Sequence, residues 1–159
     1  MTDRSHDQAI SRFAEHFAST LTDSGMPRMP ARAFAALLVT DTGRLTAAEL
    51  AERLQASPAA ISGAVRYLTQ VRLARRERVP GTRRDVIAIN DDWYETTINT
   101  SPMLTREQAN LREGVEILGD SPAGQRVAET LALIDFLTEE SRAMMDRWHE
   151  RKKQLRRKG

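Results

Sequence analysis

The chain has 159 residues, 40% hydrophobic and 29% charged, enough for one domain or a domain with an extension. It contains no cysteine, which excludes disulfides, zinc–cysteine sites and thiol chemistry and fits a reducing, cytoplasmic setting. The polar N-terminus lacks a signal-peptide pattern, no apolar run nears the roughly 18 residues of a membrane span, and the net charge of +2 conceals four blocks, −2 over residues 1–52, +7 over 53–84, −8 over 85–145 and +5 over 146–159.

Ile10, Phe13, Ala14, Phe17 and Leu21 recur at helical spacing, so a first helix is expected to run to Gly25, with Pro27 following. A second is expected over Pro30–Val39, ended by "DTGR". Thr46-x-x-Glu49 is a capping box that opens a short helix carrying Leu50 and Leu54. Ser57-Pro58 is an N-cap with proline at the first helical position, opening a helix whose inward stripe is Ile61, Ala64, Val65 and Leu68. Two short helices joined by a turn of about three residues form a helix-turn-helix. "VRLARRERV" and "RRDVIAI" then read as strands joined by "PGT". A β-hairpin directly after a helix-turn-helix makes a winged helix, and five of the eleven residues in "RRERVPGTRRD" are arginine.

Beyond the hairpin the pattern is helical again. A short helix is expected from Asp91 or Asp92 to the residues before Ser101-Pro102, then one opened by a capping box at Thr105-x-x-Gln108 and ending at Gly119. Ser121-Pro122 opens a long last helix with Val127, Leu131, Ile134, Met145 and Trp148 on one stripe, which Leu133, Phe136, Leu137 and Met144 widen. A face that wide needs partners on more than one side, so the terminal helices are expected to join a second copy; a monomeric bundle is the alternative. The fold class is mainly α (an α+β winged helix-turn-helix), with a dimerising helix over 1–25, the winged unit over 26–92 and a dimerising helical region over 93–159. The tail "RKKQLRRKG" reads as a solvated helix end favoured by the helix dipole.

The chemistry expected of the winged unit is that of a polyanion reader. The major groove of B-DNA admits one helix, read from its N-terminal end. Outside the apolar stripe of the second helix lie Ala59, Ser62, Gly63, Arg66 and Gln70. The small ones permit close approach, Arg66 can pair bidentately with guanine, and Ser57 with the free N–H groups at the helix start can hold a phosphate. Arg83 and Arg84, nearest the turn, suit a narrow minor groove. Arg75, Arg76 and Arg78 are expected at phosphates, although strand alternation forbids all of them from facing one way.

No enzyme is expected. His6, His16 and His149 have no metal spacing, "GDSPAG" lacks the lysine of a phosphate loop, and the carboxylates of 107–140 form a solvated helical face. Neither metal nor cofactor is implied.

"GMPRMPARAFAALL" and "LTAAELAERLQASPAAISGAVRYLTQVRLARRERVPGTRRDVIAINDDWY" resemble the MarR superfamily of winged-helix transcription regulators, and most nearly its GbsR-like branch, over about residues 10–100. The resemblance implies a homodimer on pseudo-palindromic double-stranded DNA, often released by a small-molecule effector. It implies recognition-helix contacts from Ser57, Ala59, Ser62 and Arg66 and a minor-groove contact from Arg83. Many relatives carry an acidic residue before the wing arginine where this chain has Thr82. The resemblance also implies a ligand pocket, for which Trp93, Tyr94, Met103 and Phe136 are candidates; a quaternary amine would suit such rings. The competing expectation is a winged helix that binds another protein and reads no base.

Overall fold

A computed structural model describes residues 2–82, 84–98 and 102–157, giving the backbone alone for 2–4, 96–98 and 102–106. It forms two compact units, residues 1–93 and 94–159.

In the first unit α1 (Thr2–Asp23) is followed by α2 (Arg28–Leu38), β1 (Arg44–Thr46), α3 (Ala47–Leu54), α4 (Pro58–Gln70), β2 (Ala74–Arg78) and β3 (Asp85–Ile89). Helix α1 ends at Asp23, two residues before the glycine expected to stop it: Met26 N–H donates to Leu21 O at 3.0 Å while Gly25 takes φ +101°, a conformation that glycine adopts without strain. Helix α2 begins at Arg28, and Pro30 lies inside its first turn, where the N–H that proline lacks has no intrahelical acceptor in any case.

Helix α2 is apolar nearly all round, and its Ala31, Ala33, Phe34, Ala35, Ala36 and Leu37 are all buried. Such a helix belongs at the centre of a core. Phe34 and Leu37 join Leu50, Leu54, Ile61, Val65, Leu68 and Ile87 in one cluster, against which Phe17, Leu21 and Trp93 pack. The Trp93 ring meets Phe34 edge-on at 5.1 Å. These contacts join α1, α2, both helices of the helix-turn-helix and the sheet into one packed body.

The sheet has an additional strand. Residues 44–46, where the sequence suggested no strand between the break at "DTGR" and the cap at Thr46, form β1, and the order is β1-β3-β2 with both pairings antiparallel. Three residues carry too little periodicity to announce a strand, and β1 exists because β3 offers an open edge. Gly43 is the hinge into it: its φ is +62°, its carbonyl accepts from Ile89 N–H at 2.9 Å, and a Cβ there would lie 2.8 Å from Ile89 Cγ2.

The second unit comprises α5 (Trp93–Ile98, with Trp93 itself at the boundary), α6 (Pro102–Leu118) and α7 (Pro122–Arg156). Helix α6 starts at Pro102 and not at Thr105, so the expected capping box does not form the helix start. Pro102 takes the first helical position, as Pro58 and Pro122 do in α4 and α7. Gln108, now inside the helix, instead donates Nε2–H to Asp135 Oδ1 at 2.9 Å, and Arg112 reaches the same oxygen at 3.3 Å, tying α6 to α7. Gly119 (φ +52°) ends α6, Ser121 caps α7 through Gly124 N–H at 3.0 Å, and the two ends touch so closely that a Cβ on Gly124 would stand 1.9 Å from Gly119 O. Along α7 the expected stripe divides. Ile134 and Met145 are buried, whereas Leu133, Phe136, Leu137 and Met144 are exposed. Tyr94 on α5 meets Trp148 edge-on at 5.8 Å with Lys152 Nζ 5.3 Å from its ring, and the His149 Nε2, expected at a free surface, lies 2.6 Å from Glu95 Oε1.

Gly43→Ala combines a left-handed backbone with a side-chain collision, and it is expected to destabilise the fold by about 1–3 kcal/mol. A lowered urea midpoint with an unchanged m-value checks it.

Candidate nucleic-acid interface

Three local devices set the geometry of the helix-turn-helix. Thr46 caps α3 in a complete capping box: its Oγ1 accepts from Glu49 N–H at 3.1 Å, and Glu49 Oε2 accepts from Thr46 N–H at 2.6 Å and from its hydroxyl at 2.8 Å. Gln55 leaves α3 through the left-handed region at φ 49° and ψ 49°, which turns the chain sharply. Ser57 caps α4, its Oγ accepting from Ala60 N–H at 3.2 Å, with Pro58 at the first helical position. The two helices are thereby aimed by a turn of three residues, 55–57. Ile61, Ala64, Val65 and Leu68 lock α4 into the core.

That packing decides which face α4 shows to solvent. Ser57, Ala59, Ser62, Gly63, Arg66 and Gln70 are all exposed, the five within the helix lying at helical spacing on one face. Nothing lies within 4 Å of the position of a Cβ on Gly63. The protein itself places no demand for glycine there, although glycine inside a helix costs about 0.5–1 kcal/mol relative to alanine.

The wing adds charge beside this face. Arg76 on β2 shares a cleft of about 310 Å³ with Ala47, Ala51, Pro58 and Ser62, which sets it against the N-terminal half of α4. Arg78 lies two residues on along the same face of the strand and is exposed, as is Arg84 after the turn. At the tip Gly81 takes φ +79°, Thr82 N–H donates to Val79 O at 3.1 Å, and Val79 N–H to Arg84 O at 3.1 Å. Arg83 lies outside the described residues.

Arg75 is placed differently from its neighbours. It occupies the opposite face of β2, where Nε and Nη2 donate to Glu77 Oε1 at 2.8 and 2.6 Å and Nη1 to Ile89 O at 2.9 Å and Asn90 Oδ1 at 3.2 Å. Its guanidinium is engaged within the sheet, unlike those of Arg76 and Arg78 on the other face, whereas all three were expected at phosphates. Arg44 Nε also reaches Glu77, at 3.1 Å to Oε2. Sequence reasoning missed Arg44 because it missed β1. The available signal was Glu77, the single acidic residue of the +7 block.

Three of the four candidates for a ligand pocket have described side chains. Trp93 packs on Phe34, Tyr94 on Trp148, and Phe136 on α7 is 59% exposed; the side chain of Met103 lies outside the described residues. Among the described residues no group of His, Asp and Glu could hold a metal, and no helix is long and apolar enough to cross a membrane.

Residues 24–85 match the model of the MarR family, and residues 91–151 match that of the MmpR5-like MarR family transcriptional regulators. Both models describe one family, and between them they span the winged unit and most of the helical one. The chain belongs to the MarR family. Among solved structures, a transcriptional regulator is 25% identical over 89% of this chain and 99% of its own, with a TM-score of 0.75. A MarR family transcriptional regulator from Streptomyces coelicolor, in complex with DNA, is 19% identical over 97% and 88% of the two chains, with a TM-score of 0.44. A transcription regulator of the Staphylococcus aureus multidrug efflux pump MepA is 18% identical over 86% and 96%, with a TM-score of 0.43. Of these three, the first shares the arrangement of this MarR-family chain. No curated protein matches the sequence significantly.

The Glu49 carboxyl is held below the ordinary carboxylate range, first by the Thr46 backbone N–H and then by the Thr46 hydroxyl. Its contribution is therefore present above the unfolded value and is lost as pH falls through the folded one. Thermal unfolding followed from neutral pH into the acid range should show a decline that Glu49→Gln reduces.

Proposed function

We propose that this MarR-family chain is a sequence-specific transcriptional repressor that binds a pseudo-palindromic operator as a homodimer and is released by a small molecule. The observation that carries the reading is the exposed face of α4. It offers small side chains at Ala59, Ser62 and Gly63, one long cation at Arg66, and Arg76 and Arg78 of the wing beside it. A helix of this kind fits the major groove, where arginine discriminates guanine by a bidentate pair, while flanking arginines neutralise phosphate. The +7 charge of residues 53–84 supports a polyanionic partner over a protein one. The match to models of the MarR family, one of them of transcriptional regulators, supports the same partner.

The dimer rests on the terminal helices. Phe13 on α1 is 54% exposed, and Leu133 and Phe136 on α7 are 56% and 59% exposed, apolar surface that a second copy would cover. The assignment to the GbsR-like branch rests on the Gly25–Arg32 turn and the wing followed by Asp92-Trp93. Release by a small molecule follows the family resemblance, and its readout is tryptophan emission together with loss of DNA affinity.

Selection from a random duplex pool at physiological salt tests the reading. An inverted repeat with half-site centres about 10 base pairs apart is expected, and Arg66→Ala should relax one position of each half-site, at about 1–3 kcal/mol. Binding without an enriched sequence would refute sequence-specific reading. Gly63→Ala separates folding from recognition: it should raise the melting temperature slightly, by relieving the cost of helical glycine, yet weaken operator binding by obstructing close approach.

A further inference from the structure

Glu77 is the one acid among the eight arginines of residues 53–84. Charge alone does not account for it beside a polyanion, since it lowers the attraction of the wing for phosphate. Its surroundings do. In the sheet register Arg44, Ala88 and Arg75 form one row across β1, β3 and β2, and Thr46, Val86 and Glu77 form the next. Rows two residues apart along a strand share a face. Ala88, 1% exposed in the middle strand, is small enough for the arginines of both outer strands to converge over it on the Glu77 carboxylate. One oxygen takes Arg75 Nε and Nη2, and the other takes Arg44 Nε at 3.1 Å. Arg75 in turn grips the end of β3 through Ile89 O and Asn90, whose Nδ2 donates to Arg72 O at 2.6 Å. Glu77 is therefore the node at which all three strands are joined on the face opposite Arg76.

The strand it reaches is also significant. The last residue of β1 is Thr46, which is the N-cap of α3. The Arg44–Glu77 bond thus ties the wing to the first helix of the helix-turn-helix across the sheet.

We propose that Glu77 is a positioning residue of the wing. By holding Arg44 and Arg75 it fixes the direction in which the tip, with Arg84, is presented relative to α4, without itself meeting the nucleic acid. This rests on the DNA-binding reading, and its distinguishing property is one of sign. Removing the carboxylate makes the wing more positive, so electrostatics alone predicts tighter binding to every duplex. Loss of positioning predicts weaker binding to the operator only.

The absence of cysteine makes Thr82→Cys a single attachment point for a nitroxide at the wing tip. In the free protein, Glu77→Gln is expected to increase nitroxide mobility in this labelled background, and Arg44→Gln, which cuts the same link at an exposed side chain, should do likewise. On duplexes, Glu77→Gln should lower affinity for the selected inverted repeat by about fivefold to tenfold while leaving affinity for a random duplex unchanged or raised, so that the specificity ratio falls. A nitroxide spectrum unchanged by both substitutions overturns the proposal, and so does an equal rise in affinity on both duplexes. A parent protein that binds neither duplex overturns the DNA-binding reading instead, and the nitroxide comparison then decides separately whether Glu77 holds the wing.

Discussion

The burial of α2 over nearly all of its circumference is the constraint from which the winged unit follows. A helix whose alanines, Phe34 and Leu37 are all withdrawn from water must be surrounded, and α1, α3, α4 and the sheet supply its neighbours. Once Ile61, Val65 and Leu68 are committed to that core, the rotation of α4 about its own axis is no longer free. Its polar and small side chains can only face outwards. Truncating Phe34 at this centre belongs to the class of core deletions that cost about 3–5 kcal/mol, a large share of the stability of any domain this size. The face that α4 presents to solvent is in this sense a consequence of the packing beneath it.

A second constraint is electrostatic. Residues 53–84 place eight arginines close together, and like charges must be separated, paired or neutralised. The sheet sorts them by strand alternation. Arg76 and Arg78 go to the face that carries α4, and Arg75 goes to the other, where Glu77 and the carbonyl of Ile89 absorb its donors. Arg53 is bound to Thr40 Oγ1 at 2.8 Å. The cations left at the surface beside α4 are thus a selected subset, and counting arginines along the sequence overstates how many can meet a ligand.

The helix-turn-helix was legible because its signals are local. The capping box at Thr46 and the Ser57-Pro58 start each act within four residues, and the hydrogen bonds they foretell at Thr46 and Ser57 are present. The hairpin was legible for the same reason. Strand β1 was not, because three residues acquire their conformation from pairing with β3, whose partner residues lie forty or more positions away in sequence. The start of α6 was misread from a pattern that fits a capping box at Thr105 but competes with a proline three residues earlier. The partners of Arg75 were hidden for a third reason, since alternation says that adjacent side chains diverge but not which of them finds an acid.

By itself, then, the sequence determined the order of the helices and the hairpin, the inward stripes of α3 and α4 and the basic character of the wing, because caps, periodicity and charge are properties of short stretches. Tertiary structure alone decided that residues 44–46 would close the sheet, that Ala88 would let Arg44 and Arg75 meet over one carboxylate, and that the stripe of α7 would divide into buried and exposed faces. Each of these depends on which distant residues arrive alongside, and that is settled by burial and hydrogen-bond satisfaction over the whole unit rather than by any local preference.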